Sequence, residues 1–154
     1  MYMSTTTGDS QKTLFSKILV AIDGSDASMY AADYAISISK EYNNAELYAL
    51  HVIRADVDLF GPHETSEFMT TMRNEGEKYL NKVRLKANEK NIQIKTEIIS
   101  STNIAGGIVD YAEENNIDLI VIGTRGRSGF KKLLLGSVAS HVVTYAHCAV
   151  LVVK

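Results

Sequence analysis

A chain of 154 residues, 45% of them hydrophobic and 22% charged, has the size and make-up of one ordinary globular domain, large enough to build a core without disulfide or metal staples. Sixteen Lys and Arg against 18 Asp and Glu leave a net charge of -2, which argues against a dedicated nucleic-acid binder or a protein drawn to anionic membranes. The single cysteine, Cys148, excludes a disulfide scaffold within the chain and suits a reducing, cytoplasmic setting. No apolar run approaches the ~20 residues of a membrane-spanning helix. The amino end, MYMSTTTGDSQKT, is polar where a signal peptide would carry its apolar stretch.

Residues 1–13 have no apolar period and read as a mobile tail, leaving 14–154 as the folded unit. The run KILVAI at 17–22 is short, apolar and β-branched, and Asp23-Gly24-Ser25-Asp26 supplies turn and helix-start chemistry after it. Ala31, Ala35, Ile38 and Tyr42 then fall along one helical stripe, which Asn43-Asn44 breaks. Residues 45–53 (AELYALHVI) form a second strand. Residues 92–99 (IQIKTEII) form a third, whose partial alternation suits a sheet edge. Between these two strands, 54–64 reads as a loop around Gly61-Pro62. Phe68, Met72, Tyr79, Val83 and Ala87 then mark a long helix that Gly76 weakens by about 1 kcal/mol relative to Ala. Asn103 caps a third helix with Ala105, Ile108 and Ala112 on one face, ended by Asn115-Asn116. DLIVIG at 118–123 is another buried strand. Gly136-Ser137 opens a fourth helix with Val138, Val142 and Tyr145 on its stripe, and Ala149–Val153 closes the pattern as a fifth strand. This alternation predicts a single α/β doubly wound domain, a five-stranded parallel sheet in the order 3-2-1-4-5 with helices on both faces.

In such sheets ligands sit beyond the carboxyl ends of the strands, where the winding reverses. The first and fourth strands end in Asp23-Gly24 and Gly123-Thr124, so an acidic residue and a Gly-rich segment are expected at one crevice. The glycines of 123–136 let backbone N–H groups approach an anion. The helix start at Gly136-Ser137 adds unpaired amides, and Arg125, Arg127, Lys131 and Lys132 add positive charge. Asp23 has a second reading as a helix-entry residue, since Asp favours such turns. Rival motifs are missing: there is no GxxxxGK[ST], no GxGxxG after the first strand, no GxSxG nucleophile elbow and no HExxH metal spacing. The sequence therefore yields no catalytic residue and no protein metal site.

Gly123, two residues, Gly126, nine residues and Gly136-Ser137 together resemble the nucleotide motif of the universal stress protein family. KILVAIDGSDAS, LHVI, DLIVIGTRGRSG, LLLGSVAS and VLVV follow in the family's order over about 15–153. The resemblance implies an ATP site. Ala21 and Asp23 would line the adenine and ribose side, Val52 would meet the adenine through its backbone, and Ile122 and Gly123 would border the ribose. Gly126, Gly136, Ser137 and Val138 would hold the phosphates, with Arg125 beside them and any Mg²⁺ carried by the phosphates. Ala21 and Ala149 stand where some members have proline, and neither change removes a phosphate donor. A cytoplasmic, nucleotide-responsive stress regulator follows, with a slow ATPase or an ATP-dependent activating enzyme as the alternative. A ligand-free interaction module is the third reading, which the intact glycines and Ser137 oppose. The apolar, unprotected edge at Ala149–Val153 predicts a homodimer through the fifth strand, as the family resemblance also implies.

Overall fold

The computed structural model describes residues 14–43, 45–55, 62–124 and 135–154, with side chains placed from 66 onward in the third stretch. The expected tail at 1–13 and the site candidates Arg125 and Gly126 lie outside these residues. The elements in chain order are β1 (Lys17–Ala21), α1 (Asp26–Glu41), β2 (Glu46–Arg54), α2 (Pro62–Glu89), β3 (Ile94–Ser101), α3 (Ile104–Glu114), β4 (Leu119–Gly123), α4 (Ser137–Tyr145) and β5 (Ala149–Val153). All strand pairs are parallel and the order is β3-β2-β1-β4-β5, as the alternation predicts.

Alternate residues of each strand feed two apolar layers. Ile18, Val20, Leu47, Ala49, Leu119 and Val121 face α1 and α2, where they meet Ala31, Ala35, Leu80 and Val83. Leu19, Ala21, Leu50, Val52, Ile120 and Ile122 face α3 and α4, where they meet Ile108, Ala112, Ala139 and Val142. Burial on both faces explains why β1 and β4 read as unbroken apolar runs, while β3, paired on one side only, alternates. Among the described residues no helix is long and apolar enough to cross a membrane.

Local sequence chemistry sets most of the boundaries. The Ser25 side chain accepts from the Ser28 amide to cap α1, and Asn103 accepts from the Gly106 amide to cap α3. Asn43, Asn91 and Asn116 follow α1, α2 and α3 with positive φ, the left-handed ending that Asn tolerates. Ile92 donates its amide back to Ala87, so β3 starts at Ile94 rather than at 92.

Three expectations need correction. The loop expected to run to Glu64 gives way to α2 at Pro62, because proline at the first helical position sacrifices no intrahelical bond. Phe68 is exposed, while Val83 and Ala87 of the expected stripe are buried together with Gly76 and Leu80. Tyr145 is also exposed: its ring leans on His141 at 4.4 Å, while Ala139 and Val142 carry the buried face of α4. Gly76 has a positive role that its low helix propensity hides. A Cβ there would lie 2.5 Å from the His51 ring, so its absence lets α2 approach β2.

Asp118 ties the start of β1 to the start of β4. Its Oδ2 accepts from the Ser16 amide at 2.8 Å, the Ser16 hydroxyl at 2.6 Å and the Lys17 amide at 2.8 Å. Partial burial pulls its pKa upward, but the hydrogen bonds from Ser16 and Lys17 outweigh it and hold the carboxyl below its ordinary value. A depressed folded pKa gives stability that is present above the unfolded value near 4 and is lost as pH falls through the folded value. Asp118→Ala should therefore cost about 2 kcal/mol at pH 7. In urea denaturation the gap between parent and variant should narrow below about pH 4; a gap independent of pH would refute the ionised-acceptor role.

Candidate functional site

The carboxyl ends of β1, β2 and β4 meet the starts of α3 and α4 around a crevice of about 260 Å³. Eight of the ten residues named from sequence line it: Ala21, Asp23, Val52, Ile122, Gly123, Gly136, Ser137 and Val138. Arg125 and Gly126 lie outside the described residues. Ala21, Val52 and Ile122 share the apolar layer that faces α3 and α4, and Leu50, Ile104 and Ile108 extend the apolar wall. Sequence reasoning missed these three, along with Ser25, Ser28 and Thr124. The two serines could have been found as partners of the Asp23 turn. The apolar wall carries no motif and is recognised only once α3 is packed.

Asp23 performs its helix-entry role and faces the crevice at once. Its Oδ1 accepts from the Ser25 amide at 2.9 Å and from the Ser25 hydroxyl, closing a turn in which Gly24 takes φ +83°. The Tyr79 ring fills the space beside Gly24, where a Cβ would lie 2.5 Å from it.

On the other rim, Thr124 donates its amide to Val153 at 2.8 Å, and its carbonyl accepts the Gly136 amide at 2.6 Å. These bonds hold the two ends of 125–134 together. They also change the role expected of Gly136. Its N–H is engaged by Thr124, so it serves the site through its missing side chain and extended backbone, φ -65° and ψ 161°, at the head of α4. No side chain caps α4 there, in contrast to α1 and α3. The amides of Ser137, Val138 and Ala139, which a helix leaves without internal partners, therefore sit at the crevice together with the Ser137 hydroxyl. The arrangement joins an apolar slot to a row of donors, suited to a flat apolar group bearing an anion. Among the described residues no cluster of three or more His, Cys, Asp or Glu side chains could hold a metal ion.

A larger groove, about 650 Å³, lies at the opposite end of the sheet around Glu46, Arg84 and Lys95. Its Lys95 ammonium is paired with Glu46 at 3.0 Å and contacts the Tyr48 hydroxyl, so its charges are matched internally.

A sequence profile described as the universal stress protein family matches residues 14–154. The chain belongs to that family. It is 42% identical over 145 residues to a universal stress protein of Methanocaldococcus jannaschii, covering 93% of this chain and 84% of the relative. The solved universal stress protein UspA from Lactobacillus plantarum superposes with a TM-score of 0.83 at 30% identity, over 91% of this chain and 98% of that one. A universal stress protein from Archaeoglobus fulgidus, solved in complex with dAMP, shares the fold at 20% identity, with a TM-score of 0.69 and coverage of 92% and 99%.

Proposed function

We propose that residues 14–154 form an adenine-nucleotide-binding unit that takes ATP in the crevice between β1 and β4 and acts as a nucleotide-responsive regulator. The observation that carries this reading is the meeting of the apolar slot with the uncapped start of α4. The adenine lies against Val52 and Ile108 and the ribose beside Asp23, Ile122 and Gly123. The phosphates lie on the Ser137 and Val138 amides and the Ser137 hydroxyl, with any Mg²⁺ carried by the phosphates; Gly126 as a further phosphate-holding position, with Arg125 beside it, is what the family resemblance implies. The dAMP bound by the Archaeoglobus fulgidus relative supports an adenine nucleotide as the ligand class.

Regulation is preferred to turnover because, among the described residues, the crevice lining holds no histidine and one carboxylate, Asp23, which is bonded to Ser25. A general base needs an orienting partner and a free path to its proton. Mass spectrometry of the nucleotide released on denaturing the purified protein, with calorimetric titration of ATP, tests the assignment. Released adenine nucleotide and saturable binding are expected, with turnover below about 0.01 s⁻¹ against the 1–10³ s⁻¹ common among enzymes. No adenine nucleotide in either assay overturns the site, and hydrolysis at several per second that Asp23→Asn abolishes replaces the regulator with an ATPase.

The same reading includes a homodimer through β5. That strand pairs only with β4 among the described residues, Ala149 is exposed, and Val150, Leu151 and Val152 are half-buried. Antiparallel pairing of two copies about a two-fold axis would cover these side chains and satisfy the open backbone edge in one closed contact. Light scattering should give about twice 16.9 kDa for the parent and a monomer for Leu151→Lys or Val152→Lys. A monomeric parent at micromolar concentration removes the interface.

A further inference from the structure

The backbone on either side of Asp23 is gripped from the face of the sheet that α1 and α2 cover. Leu47, Ala49 and His51 alternate onto that face of β2, and Ile22 is buried there with Leu80 and Val83. His51 reaches the residue just before Asp23. Its Nδ1 lies 2.7 Å from the Ile22 carbonyl, which can only accept, so the imidazole donates. Tyr79 reaches the residue just after. A Cβ added at Gly24 would stand 2.5 Å from Cζ of the Tyr79 ring and 2.6 and 2.7 Å from Cε1 and Cε2, so the tip of the ring rests on Gly24. The two half-buried rings meet edge to face with centroids 5.7 Å apart, an arrangement aromatic groups favour. Neither ring is among the residues that line the crevice.

These contacts bear on how Asp23 can meet a ligand. Its Oδ1 closes the turn onto the Ser25 amide and hydroxyl, so Oδ2 is the acceptor that the turn leaves for a ligand. Gly24, at φ +83°, has no side chain to restrict its torsions, and the internal bonds of the turn would survive if Asp23 and Ser25 swung together. The grip on Ile22 and Gly24 is what opposes that swing. A carboxylate that accepts from a ribose hydroxyl makes a short, directional bond, which weakens steeply when the acceptor is displaced.

We propose that Tyr79 is a positioning residue for ribose recognition: from α2 its ring, braced by His51, holds the Gly24 turn so that Asp23 keeps its carboxylate on the ribose hydroxyls. The proposal rests on the nucleotide reading above and brings a helix that does not touch the ligand into the choice of ligand.

Calorimetric titration with ATP and with 2′,3′-dideoxy-ATP, which keeps the base and phosphates and lacks both ribose hydroxyls, reads this role. The proteins are the parent, Tyr79→Leu, Tyr79→Phe, Asp23→Ala and the double variant of Asp23→Ala with Tyr79→Leu. Leucine ends at its δ carbons and withdraws the atoms that touch Gly24, whereas phenylalanine keeps Cζ and both ε carbons. The parent should prefer ATP about tenfold, the scale of a hydrogen bond to a charged group. Tyr79→Leu should cut that preference to about twofold by weakening ATP, with the dideoxy analogue held within about twofold of the parent. Tyr79→Phe should retain the preference. In the Asp23→Ala background, Tyr79→Leu should cost ATP no more than about twofold, since a residue that acts through another does not add to its loss. Thermal unfolding verifies each fold, and His51→Leu, which withdraws the brace from a different element, carries the same criteria if Tyr79→Leu does not fold.

A role confined to stability would weaken both nucleotides equally, and that result overturns the proposal. So does a preference unchanged in Tyr79→Leu, a phenylalanine variant as impaired as the leucine variant, or additive losses with Asp23→Ala. A parent that binds the two nucleotides alike overturns it too and leaves the nucleotide site standing. A parent that binds neither removes the nucleotide reading and the positioning role together.

Discussion

Gly123→Val is expected to lower the unfolding free energy by about 3 kcal/mol, and most of that loss should already be present in Gly123→Ala. A Cβ at Gly123 would stand 2.8 Å from the Ala27 carbonyl carbon and 2.9 Å from its oxygen and Cβ. These atoms are backbone and the stub of a small side chain, so no rotamer change relieves the contact. Neither partner can retreat at low cost. Ala27 lies in the first turn of α1, fixed by the Ser25 cap, and β4 is held between β1 and β5 with Val121 fully buried. Glycine to alanine in a strand ordinarily helps, by restricting the unfolded chain. A clear loss in the alanine variant by urea denaturation is therefore diagnostic of the close approach, and an alanine variant as stable as the parent would contradict it.

The second large effect concerns binding. Ser137→Pro should weaken ATP about 50-fold, against about tenfold for Ser137→Ala, because proline removes an amide donor as well as the hydroxyl. The substitution is unusually clean at this position. Ser137 is the first residue of α4, where proline loses no intrahelical bond, and Gly136 already holds the extended backbone that a residue before proline prefers. Unfolding temperature should change little while affinity falls. Proline and alanine variants of equal affinity would mean that the Ser137 amide does not meet the ligand.

The architecture was legible in the sequence because most elements signal their own limits, the starts of α2 and β3 excepted. Asn103 caps by a side-chain oxygen, the asparagines at 43 and 116 stop helices by their tolerance of positive φ, and β4 and all of β1 after Lys17 are apolar because both of their faces are covered. The meeting of Asp23, Gly123, Gly136 and Ser137 at one crevice was legible for a related reason: two strand ends and a helix start bring them there, while Gly126 lies outside the described residues. Ile104, Ile108 and Leu50 were not, since an apolar residue that lines a crevice and one that fills a core look the same until α3 is set on the sheet. The Gly136 amide shows a subtler limit. A helix start promises free donors, but the Thr124 carbonyl that takes this one comes from the far side of 125–134. Phe68 alone of the expected α2 stripe is exposed, because helical period gives a face without saying where along α2 the sheet ends.

The strand order also governs how the chain emerges from a ribosome. β1, β2 and β3 are consecutive in sequence and adjacent in space, so the first three strands can assemble with α1 and α2 as soon as they are made. The other edge of β1 must wait for β4, whose anchoring residue Asp118 lies 102 positions beyond Ser16. At ~5–20 residues per second, synthesis of that span takes roughly 5–20 s. Throughout that interval the growing polypeptide carries β1 as an edge unpaired on its β4 side and apolar from Ile18 to Ala21, the kind of strand that recruits other chains. Nascent-chain quality in this protein is therefore governed by the arrival of a single late strand, and chaperone capture should peak on ribosome-bound fragments that end between β3 and β4.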